Sequence, residues 1–382
     1  MSSRPTFGQR ISQFWRRLTE GLELNQLWAQ FQADARASYH LYSRNVDFSR
    51  PQGVRKGSHF WSLVKQFFWA ILDQLSPARR LILLLALVLL IFTGTFRWGG
   101  SIVDFDLQFY GGLLVLLLLV LEVADRVVMK RDLQIAREIQ LWLVPNVPPQ
   151  VPGLDIAFAT RPANTVAGDY YDVFPRAVLT DASSSPTFLL AVADVAGKSI
   201  PAALLMASFQ ASLKALSTTP CSLLQLVDGM NRYVCTNSQG GRRFITAFLA
   251  EFSPDTRTLN YTNAGHNAPL VRRASGSIER LESGGLPLGI EENAAYQSGT
   301  VTLQAGDWLV IFTDGLVEAA NSSNEEYGED RVITILQAGA AETATQLVSR
   351  LMVGLDVFVG NNLPLADDVT CMVVKQLLAS SS

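Results

Sequence analysis

Two apolar runs in the first third of the chain limit its possible folds more than any other feature. Residues 81–96 contain no charged residue and open with LILLLALVLLIF, and residues 107–121 contain one strongly polar residue, Gln108. With their flanks (78–98 and 106–124), both runs reach the lower half of the roughly 17–25 residues that a membrane span needs. Apolar residues on every face of each run favour membrane helices over the alternative, a pair of buried core helices.

Positive charge lies outside both runs. Arg79 and Arg80 precede the first run and Arg126 follows the second, whereas the loop between the runs carries little positive charge. Because positively charged flanks stay on the cytoplasmic side, both outer ends are expected inside the cell. The sequence therefore predicts a two-helix transmembrane hairpin over 79–124 in the inner cell membrane. The N-terminal region, 1–78, is expected to be cytoplasmic and has no assigned function.

The composition agrees with such an apolar segment. Charged residues make up 17% of the chain, against roughly 25% in a soluble domain, and the chain is too apolar to be mostly disordered. Its 3 cysteines lack zinc or disulfide spacing, and its 3 histidines exclude a His-rich metal site. Within a net charge of −3, the first 80 residues are basic and the remainder is acidic, which indicates separate regions. No nucleic-acid partner is expected.

Residues 125–144 are expected to form a linker helix. The apolar residues Leu121, Val128, Ile135 and Trp142 recur seven positions apart, as in one seam of a coiled coil. Alanine and charged residues occupy the other seam positions, so two alternatives stay open, a homodimer through the linker helix and a monomeric connecting helix. A cluster of prolines then ends the helix.

Residues 145–378 have the pattern of a separate α+β domain. Short segments rich in β-branched and aromatic residues, among them TFLLAVAD, RFITAFLAEF and DWLVIFTD, indicate strands in hairpin-like pairs. Helical segments interrupt them, and one has a proline in its first turn (PAALLMASFQASLKAL). Strands outnumber helices, which favours antiparallel sheets with flanking helices.

Carboxylates stand at the ends of these strands. Asp169 and Asp172 lie in AGDYYD, Asp194 ends LLAVAD, Asp314 ends LVIFTD, and Asp367 and Asp368 open DDVTCMVV. One such aspartate is most often a turn residue, but several in one domain suggest a shared site. Two carboxylates about 4 Å apart repel by roughly 4 kcal/mol at an effective dielectric constant of about 20, so convergence would require cations. Oxygen ligands favour Mg²⁺ or Mn²⁺, and two such ions can share a bridging hydroxide that attacks a phosphate ester.

Several motifs then occur in a fixed order, namely RPANTVAGDYYD, ADVAGKSIPAALLMA, TNAGHNAPL, GGLPLGI, AGDWLVIFTDGLVEAAN and ADDVT. Together they resemble the PPM-type serine/threonine phosphatases of the bacterial RsbU/SpoIIE branch, over about residues 138–376. The resemblance implies a β-sandwich of two antiparallel sheets flanked by helices, in four layers. It also implies two divalent cations, Mn²⁺ or Mg²⁺, and hydrolysis of phosphoserine or phosphothreonine on a protein.

The resemblance extends to individual metal ligands. It implies that Asp194 bridges both ions, that the Val195 carbonyl oxygen is the next ligand, and that Asp314 and Asp367 are further ligands. Asp169 is implied to bind a metal ion or to order metal-bound water. These four aspartates are also the implied catalytic residues.

The resemblance gives weaker indications for the substrate contacts. Arg161 is a candidate for bidentate phosphate binding, with a surface salt bridge as the equal alternative, and Lys198 is a candidate substrate contact or turn cap. His266 is a candidate proton donor to the leaving oxygen, although a structural histidine is the favoured alternative. Two departures from the family pattern, Ala167 and Ser199, each place a Cβ where the family has glycine and put loop geometry in question.

These observations lead to one hypothesis and one alternative. The hypothesis is a membrane-tethered, metal-dependent phosphoprotein phosphatase whose linker helix switches the catalytic domain. Its expected partners are a lipid bilayer and a phosphorylated signalling protein, such as an anti-sigma-factor antagonist. The alternative is a catalytically weak membrane signalling scaffold of the same fold. Retention of the four aspartates favours the enzyme, because a scaffold has no need of clustered like charges.

Overall fold

The computed structural model describes residues 75–92, 95–98, 101–104, 106–176, 186–237, 243–339, 342–360 and 365–378, together with Lys65, Trp69, Leu72 and Asp73. Residues 1–127 and 128–382 form two compact units. The predicted N-terminal region, 1–78, lies almost wholly outside the described residues.

The first unit contains helical segments and a short β-hairpin. Helix α1 spans Pro77–Ile91, strands β1 and β2 span Thr95–Trp98 and Ser101–Asp104, and helix α2 spans Leu107–Leu143 and so continues into the second unit. Pro77 suits the start of α1, because a residue in the first turn needs no partner for its backbone nitrogen.

Helices α1 and α2 contact each other along one side. An ion pair of 2.6 Å joins Arg79 to Asp125. A Cβ at Gly111 would lie 3.0 Å from the Ala86 carbonyl oxygen, so the glycine permits the close approach of the two backbones. Many other apolar side chains of both helices are exposed, including those of Leu81, Ile91 and Leu119.

The transmembrane hairpin predicted over 79–124 is not supported. Within the described part of the chain, no helix is both long and apolar enough to cross a membrane. Helix α1 has 15 residues, which gives a length of about 22 Å against a hydrocarbon core of about 30 Å. The apolar run 81–96 ends in strand β1 instead of extending this helix, and α2 runs on from its apolar half into the charged linker sequence.

The second unit is built on two sheets. Its strands are, in chain order, β3 (Leu154–Arg161), β4 (Tyr170–Arg176), β5 (Thr187–Val195), β6 (Ile245–Ser253), β7 (Thr258–Ala264), β8 (Leu270–Arg272), β9 (Ile278–Arg280), β10 (Gly284–Gly285), β11 (Gly299–Thr302), β12 (Trp308–Phe312) and β13 (Val369–Gln376). The larger sheet has the order β10–β7–β6–β5–β4, with β11 also paired to β7, and the smaller sheet has the order β3–β13–β12–β8–β9. All of these pairings are antiparallel except the short parallel pairing of β10 with β7.

Helices cover both sheets. They are α3 (Ile200–Leu216), α4 (Leu223–Asn237), α5 (Asp314–Val317), α6 (Glu329–Ala338) and α7 (Ala344–Val359). Side chains of β12 alternate between two cores, because successive residues of a strand point to opposite faces. Leu309 and Ile311 join a core shared with the larger sheet, α3 and α4, whereas Val310 and Phe312 join a core shared with α6 and α7. The predicted α+β architecture, two sheets between outer helices, is therefore confirmed.

Candidate active site

Five aspartates lie at strand ends of both sheets. Asp169 directly precedes β4, and Asp194 is the penultimate residue of the neighbouring strand β5. In the smaller sheet, Asp314 follows β12, and Asp367 and Asp368 directly precede the adjacent β13. Because neighbouring strands are antiparallel, the C-terminal end of one strand lies beside the N-terminal end of its neighbour. We refer to these five residues as the acidic cluster.

The carboxylates of the acidic cluster act on one another across the two sheets. Burial and then the charge of Asp194 hold the pKa of Asp169 well above its usual range. Burial and then the charge of Asp314 raise the pKa of Asp194 to about 7, and burial and then Asp367 raise the pKa of Asp314. Such mutual effects require short distances, so the structure brings the four predicted metal ligands together and places Asp368 beside them.

The donor set of the acidic cluster suits a hard divalent cation. Asp169 Oδ1 is buried and has no hydrogen-bond partner among the described residues, which is costly for a polar oxygen. A Cβ at Gly168 would lie 3.2 Å from the Val195 carbonyl oxygen, so the glycine leaves that oxygen uncovered. Carboxylate and carbonyl oxygens are the ligands that Mg²⁺ and Mn²⁺ prefer. Within the described residues, no three Asp, Glu, His or Cys side chains are placed to hold a metal ion by themselves. The acidic cluster therefore fits a divalent cation by the chemistry of its oxygen atoms and not by a complete set of ligands.

Thr313 orients one of these carboxylates, a role that sequence reasoning missed. Its fully buried hydroxyl donates a hydrogen bond of 3.0 Å to Asp169 Oδ2 and accepts one of 2.9 Å from the Thr370 backbone N–H. The hydroxyl thereby links the larger sheet to the smaller one beside the acidic cluster. Its signal in the sequence is a threonine directly before Asp314, at the end of an apolar strand.

Asp368 holds the loop between β3 and β4. Its carboxylate accepts hydrogen bonds from the backbone N–H groups of Ala163 at 2.7 Å and Gly168 at 2.6 Å. A Cβ at Gly315 would lie 2.1 Å from the Asp368 carbonyl oxygen, so glycine is required where α5 begins. Asp368 therefore fixes the path of the chain on both sides of the acidic cluster.

The last turns of α2 contact the same loop. Gln140 Nε2 donates a hydrogen bond of 2.6 Å to the Ala167 carbonyl oxygen, and Gln140 Oε1 accepts one of 3.0 Å from the Ala167 backbone N–H. Since Asp169 follows two residues later, a single side chain joins the linker helix to the loop that carries part of the acidic cluster. Sequence reasoning gave Gln140 no role, because a polar residue on a helix is usually solvated.

The two cationic residues predicted to bind substrate both have carboxylate partners. Lys198 Nζ lies 3.1 Å from Asp367 Oδ2, at the edge of the acidic cluster. Arg161, the last residue of β3, forms a two-point ion pair with Asp356 of α7. Arg161 therefore lies close in sequence to the loop that leads to Asp169. Its ion pair with Asp356 matches the alternative of a surface salt bridge.

His266 is buried, which favours the structural alternative for this residue. Burial lowers the pKa of His266 to about 4, so the ring is neutral at physiological pH. Its Nδ1 lies 3.0 Å from the Thr246 hydroxyl oxygen, and Thr246 is paired with Asp194 in the sheet. The imidazole thus supports the strand pair that carries Asp194.

Two further residues of the predicted motifs have local roles. Asp172 is not part of the acidic cluster, because Lys214 neutralises it at 2.6 Å and the Tyr170 hydroxyl donates to it at 3.0 Å. Ser199, directly before α3, has φ 66° and ψ −151°, a conformation that glycine adopts far more readily. The departure from glycine at this position therefore does place a Cβ on a strained backbone.

Known proteins are similar to this chain in sequence and in fold. A family model described as Stage II sporulation protein E (SpoIIE) matches residues 184–376. Phosphoserine phosphatase RsbU from Bacillus subtilis is 28% identical over 248 residues, which are 65% of this chain and 70% of RsbU.

Two solved structures resemble this chain. The SiaA-PP2C domain of Pseudomonas aeruginosa matches with a TM-score of 0.55 at 19% identity, covering 66% of this chain and 98% of that domain. The RsbU and RsbW domains of a Mycobacterium tuberculosis protein match with a TM-score of 0.51 at 22% identity, covering 62% of this chain and 63% of theirs. These likenesses identify the PP2C phosphatase fold.

Proposed function

The chain belongs to the SpoIIE family, and on that premise we propose that it is a metal-dependent serine/threonine protein phosphatase of the PP2C type. The observation that carries the proposal is the acidic cluster, in which carboxylates from two sheets raise one another's pKa. Such a concentration of negative charge lowers the stability of the fold unless cations bind there. A catalytic metal site accounts for it.

The proposed cofactors are two divalent cations, Mn²⁺ or Mg²⁺. The residues that would hold them are Asp169, Asp194, Asp314 and Asp367, with the Val195 carbonyl oxygen. When bound, such ions lower the pKa of water to produce a nucleophile near neutral pH and offset the charge of a phosphate ester.

The protein's own contribution is to hold these ligands in place. Thr313 fixes the orientation of the Asp169 carboxylate, and Asp368 fixes the loop that ends at Asp169. Lys198 places an ammonium group at the edge of the acidic cluster, where its ion pair with Asp367 offsets part of the negative charge. Preorganised charges of this kind cost no reorganisation during the reaction.

The proposed substrate is a phosphorylated signalling protein carrying phosphoserine or phosphothreonine. Support comes from RsbU and RsbP of Bacillus subtilis, which are both named phosphoserine phosphatases. The chain spans 70% of RsbU and 47% of RsbP. Within this substrate class, an anti-sigma-factor antagonist is the form of partner that we propose.

Hydrolysis of a generic phosphate ester and of a phosphoserine protein by the full chain tests the proposal. We expect turnover that depends on Mn²⁺ or Mg²⁺, stops in chelator and is abolished in Asp194→Asn. Asp255→Asn is the matched control, because Asp255 is an exposed aspartate in the turn after β6. Activity that persists in chelator or in Asp194→Asn would contradict the two-metal proposal. Absence of turnover with every phosphoprotein would favour the alternative, a signalling scaffold of the same fold.

We propose that α2 regulates this activity. The support is the two-point contact between Gln140 and Ala167, which lets a rotation or shift of the helix move the loop that carries Asp169. Regulation of this kind requires two arrangements of the helix. Hydrogen exchange of the loop 162–168 in wild type and Gln140→Ala measures whether the helix holds it, and equal exchange in both would contradict the proposal.

The proposed location is the cell membrane, with the phosphatase domain and the N-terminal region on the cytoplasmic side. The support is the exposed apolar surface of α1 and the first half of α2, where Ile91 is 76% exposed, since large apolar patches are unfavourable in water. In cell fractionation, the full chain should sediment with membranes, resist extraction by salt and be released by detergent. Recovery in the soluble fraction would contradict this location.

A homodimer through α2 is also proposed. Val128, Ile135 and Trp142 are exposed at intervals of seven residues, with Trp142 at 79%. A second copy of the helix would cover this seam. Light scattering should give the mass of a dimer for the full chain and of a monomer for Ile135→Glu, and a monomeric wild type would contradict the proposal.

A further inference from the structure

Arg243 lies next to the proposed active site, two residues before β6. The strand pairing places Thr246 opposite Asp194, and a hydrogen bond of 2.9 Å from the Ala196 N–H to the Phe244 carbonyl oxygen continues it. One terminal guanidinium nitrogen of Arg243 lies 3.6 Å from the position of a Cβ at Gly197. The guanidinium therefore lies against the turn that follows Asp194.

Among the described residues, no carboxylate pairs with the charge of Arg243. Lys198 is paired with Asp367 and Arg161 with Asp356, whereas Arg243 makes no hydrogen bond or ion pair with any described residue. Its side chain is half-buried. A partly desolvated guanidinium without a partner is unfavourable, so this position points to an anionic ligand that supplies the missing partner.

The approach of a phosphate to the acidic cluster requires positive charge nearby. The carboxylates of the cluster repel a phosphate dianion unless the proposed cations are bound, and the charges of Lys198 and Arg161 are offset by their own aspartates. Arg243 reaches the same edge from the larger sheet. Its planar guanidinium can donate two parallel hydrogen bonds to phosphate oxygens, which an ammonium group cannot do.

We propose that Arg243 binds the phosphate group of the substrate at the larger-sheet side of the acidic cluster. This inference rests on the proposed phosphatase function and assigns a specific substrate contact to it. The ligand is a phosphate monoester of serine or threonine, and inorganic phosphate is the product that shares the contact.

Two measurements on the full chain in Mn²⁺ test the inference, the kinetics of a phosphate ester and the binding of inorganic phosphate by calorimetry. Arg243→Ala is expected to weaken phosphate binding and to raise KM by about 10- to 100-fold, the range for hydrogen bonds to charged groups. Arg243→Lys should recover part of the loss, because it restores charge but not the two-point geometry. It also serves as the test variant if Arg243→Ala does not fold.

Arg257→Ala is the matched control. Arg257 lies in the turn at the opposite end of β6, exposed to solvent, and its removal changes the net charge equally. Phosphate affinity and KM should stay near wild type in this variant. A loss equal to that of Arg243→Ala would show a general effect of charge and overturn the inference.

The outcomes separate the inference from the proposed function. Unchanged phosphate affinity in Arg243→Ala, with wild-type hydrolysis intact, overturns the role of Arg243 and leaves the phosphatase proposal standing. Phosphate binding that depends on Arg243 in a protein without hydrolytic activity supports the contact and overturns the proposed function. If the wild-type protein neither hydrolyses the ester nor binds phosphate, both are overturned.

Discussion

Replacing Asp194 by asparagine is expected to stabilise the folded protein when no divalent cation is present. Burial and the charge of Asp314 raise the pKa of Asp194 from 3.8 to about 7, so between these values the folded chain keeps a proton that the unfolded chain has released. The free energy of unfolding therefore falls as the pH rises through this window. At about 1.4 kcal/mol per pH unit, the loss is at most about 4 kcal/mol above the upper value. Asparagine carries no charge and avoids this loss.

Urea titrations of the metal-free wild type and Asp194→Asn, at about pH 4 and about pH 7.5, measure the effect. At the lower pH the wild-type carboxyl group is protonated in the folded state, and the two proteins should differ by about 1 kcal/mol or less. At the higher pH the variant should be the more stable, by up to about 4 kcal/mol. Mn²⁺ should stabilise the wild type, by about 2.7 kcal/mol at a hundredfold excess over Kd, and should stabilise the variant much less.

Asp172→Asn is the matched control for this experiment. Asp172 is also a buried aspartate, but Lys214 neutralises it at 2.6 Å and the Tyr170 hydroxyl donates to it. Its replacement should lower the free energy of unfolding by about 1–3 kcal/mol at the higher pH, because charge-assisted hydrogen bonds are lost. If Asp194→Asn is destabilised in the same way, or differs from wild type equally at both pH values, the electrostatic reasoning is refuted.

Three more changes have defined outcomes. Gln140→Ala removes both hydrogen bonds to the Ala167 backbone and should lower kcat by about 3- to 10-fold in steady-state kinetics, with the melting temperature nearly unchanged; an unaltered kcat would show that the contact is silent. Thr313→Val leaves Asp169 unoriented and should weaken Mn²⁺ binding in calorimetry by about 10- to 100-fold, as for other residues that support metal ligands; unchanged affinity would refute this role. Ser199→Gly removes the Cβ from a backbone with φ 66° and should raise the free energy of unfolding by about 1 kcal/mol in urea titrations, whereas a decrease would mean that the serine side chain stabilises the turn.

The predicted aspartates came together because their signal is local. Asp194 and Asp314 each end a strongly apolar strand, and a sheet places such ends at a common edge. Asp172 lies inside β4 and not at a strand end, and Lys214 on α3 neutralises it. That pairing depends on how a distant helix packs, which the residues around Asp172 do not reveal.

For the apolar run 81–96, the sequence did not predict the secondary structure. Hydropathy located apolar residues correctly along 81–96, but it does not report where a helix ends. Helix α1 ends at Ile91, and the segment that follows pairs as β1 and β2. Backbone pairing of this kind depends on local turn geometry, so a hydropathy profile reads the whole run as one span.

Both hydrogen bonds of Gln140 end on backbone atoms, so the contact does not read the side chain at residue 167. Alanine at position 167, where the family has glycine, therefore leaves the contact with Gln140 unchanged. To make this contact, the helix must place one glutamine side chain on the face that meets residue 167. A requirement this small suits the exchange of one upstream module for another during evolution. Phase is the constraint, since inserting one residue upstream would rotate the incoming module by about 100° relative to Gln140, whereas inserting seven would rotate it by only about 20°. Fusions to this domain whose linkers differ by seven residues should therefore keep the phase of Gln140, whereas fusions whose linkers differ by one residue should lose it.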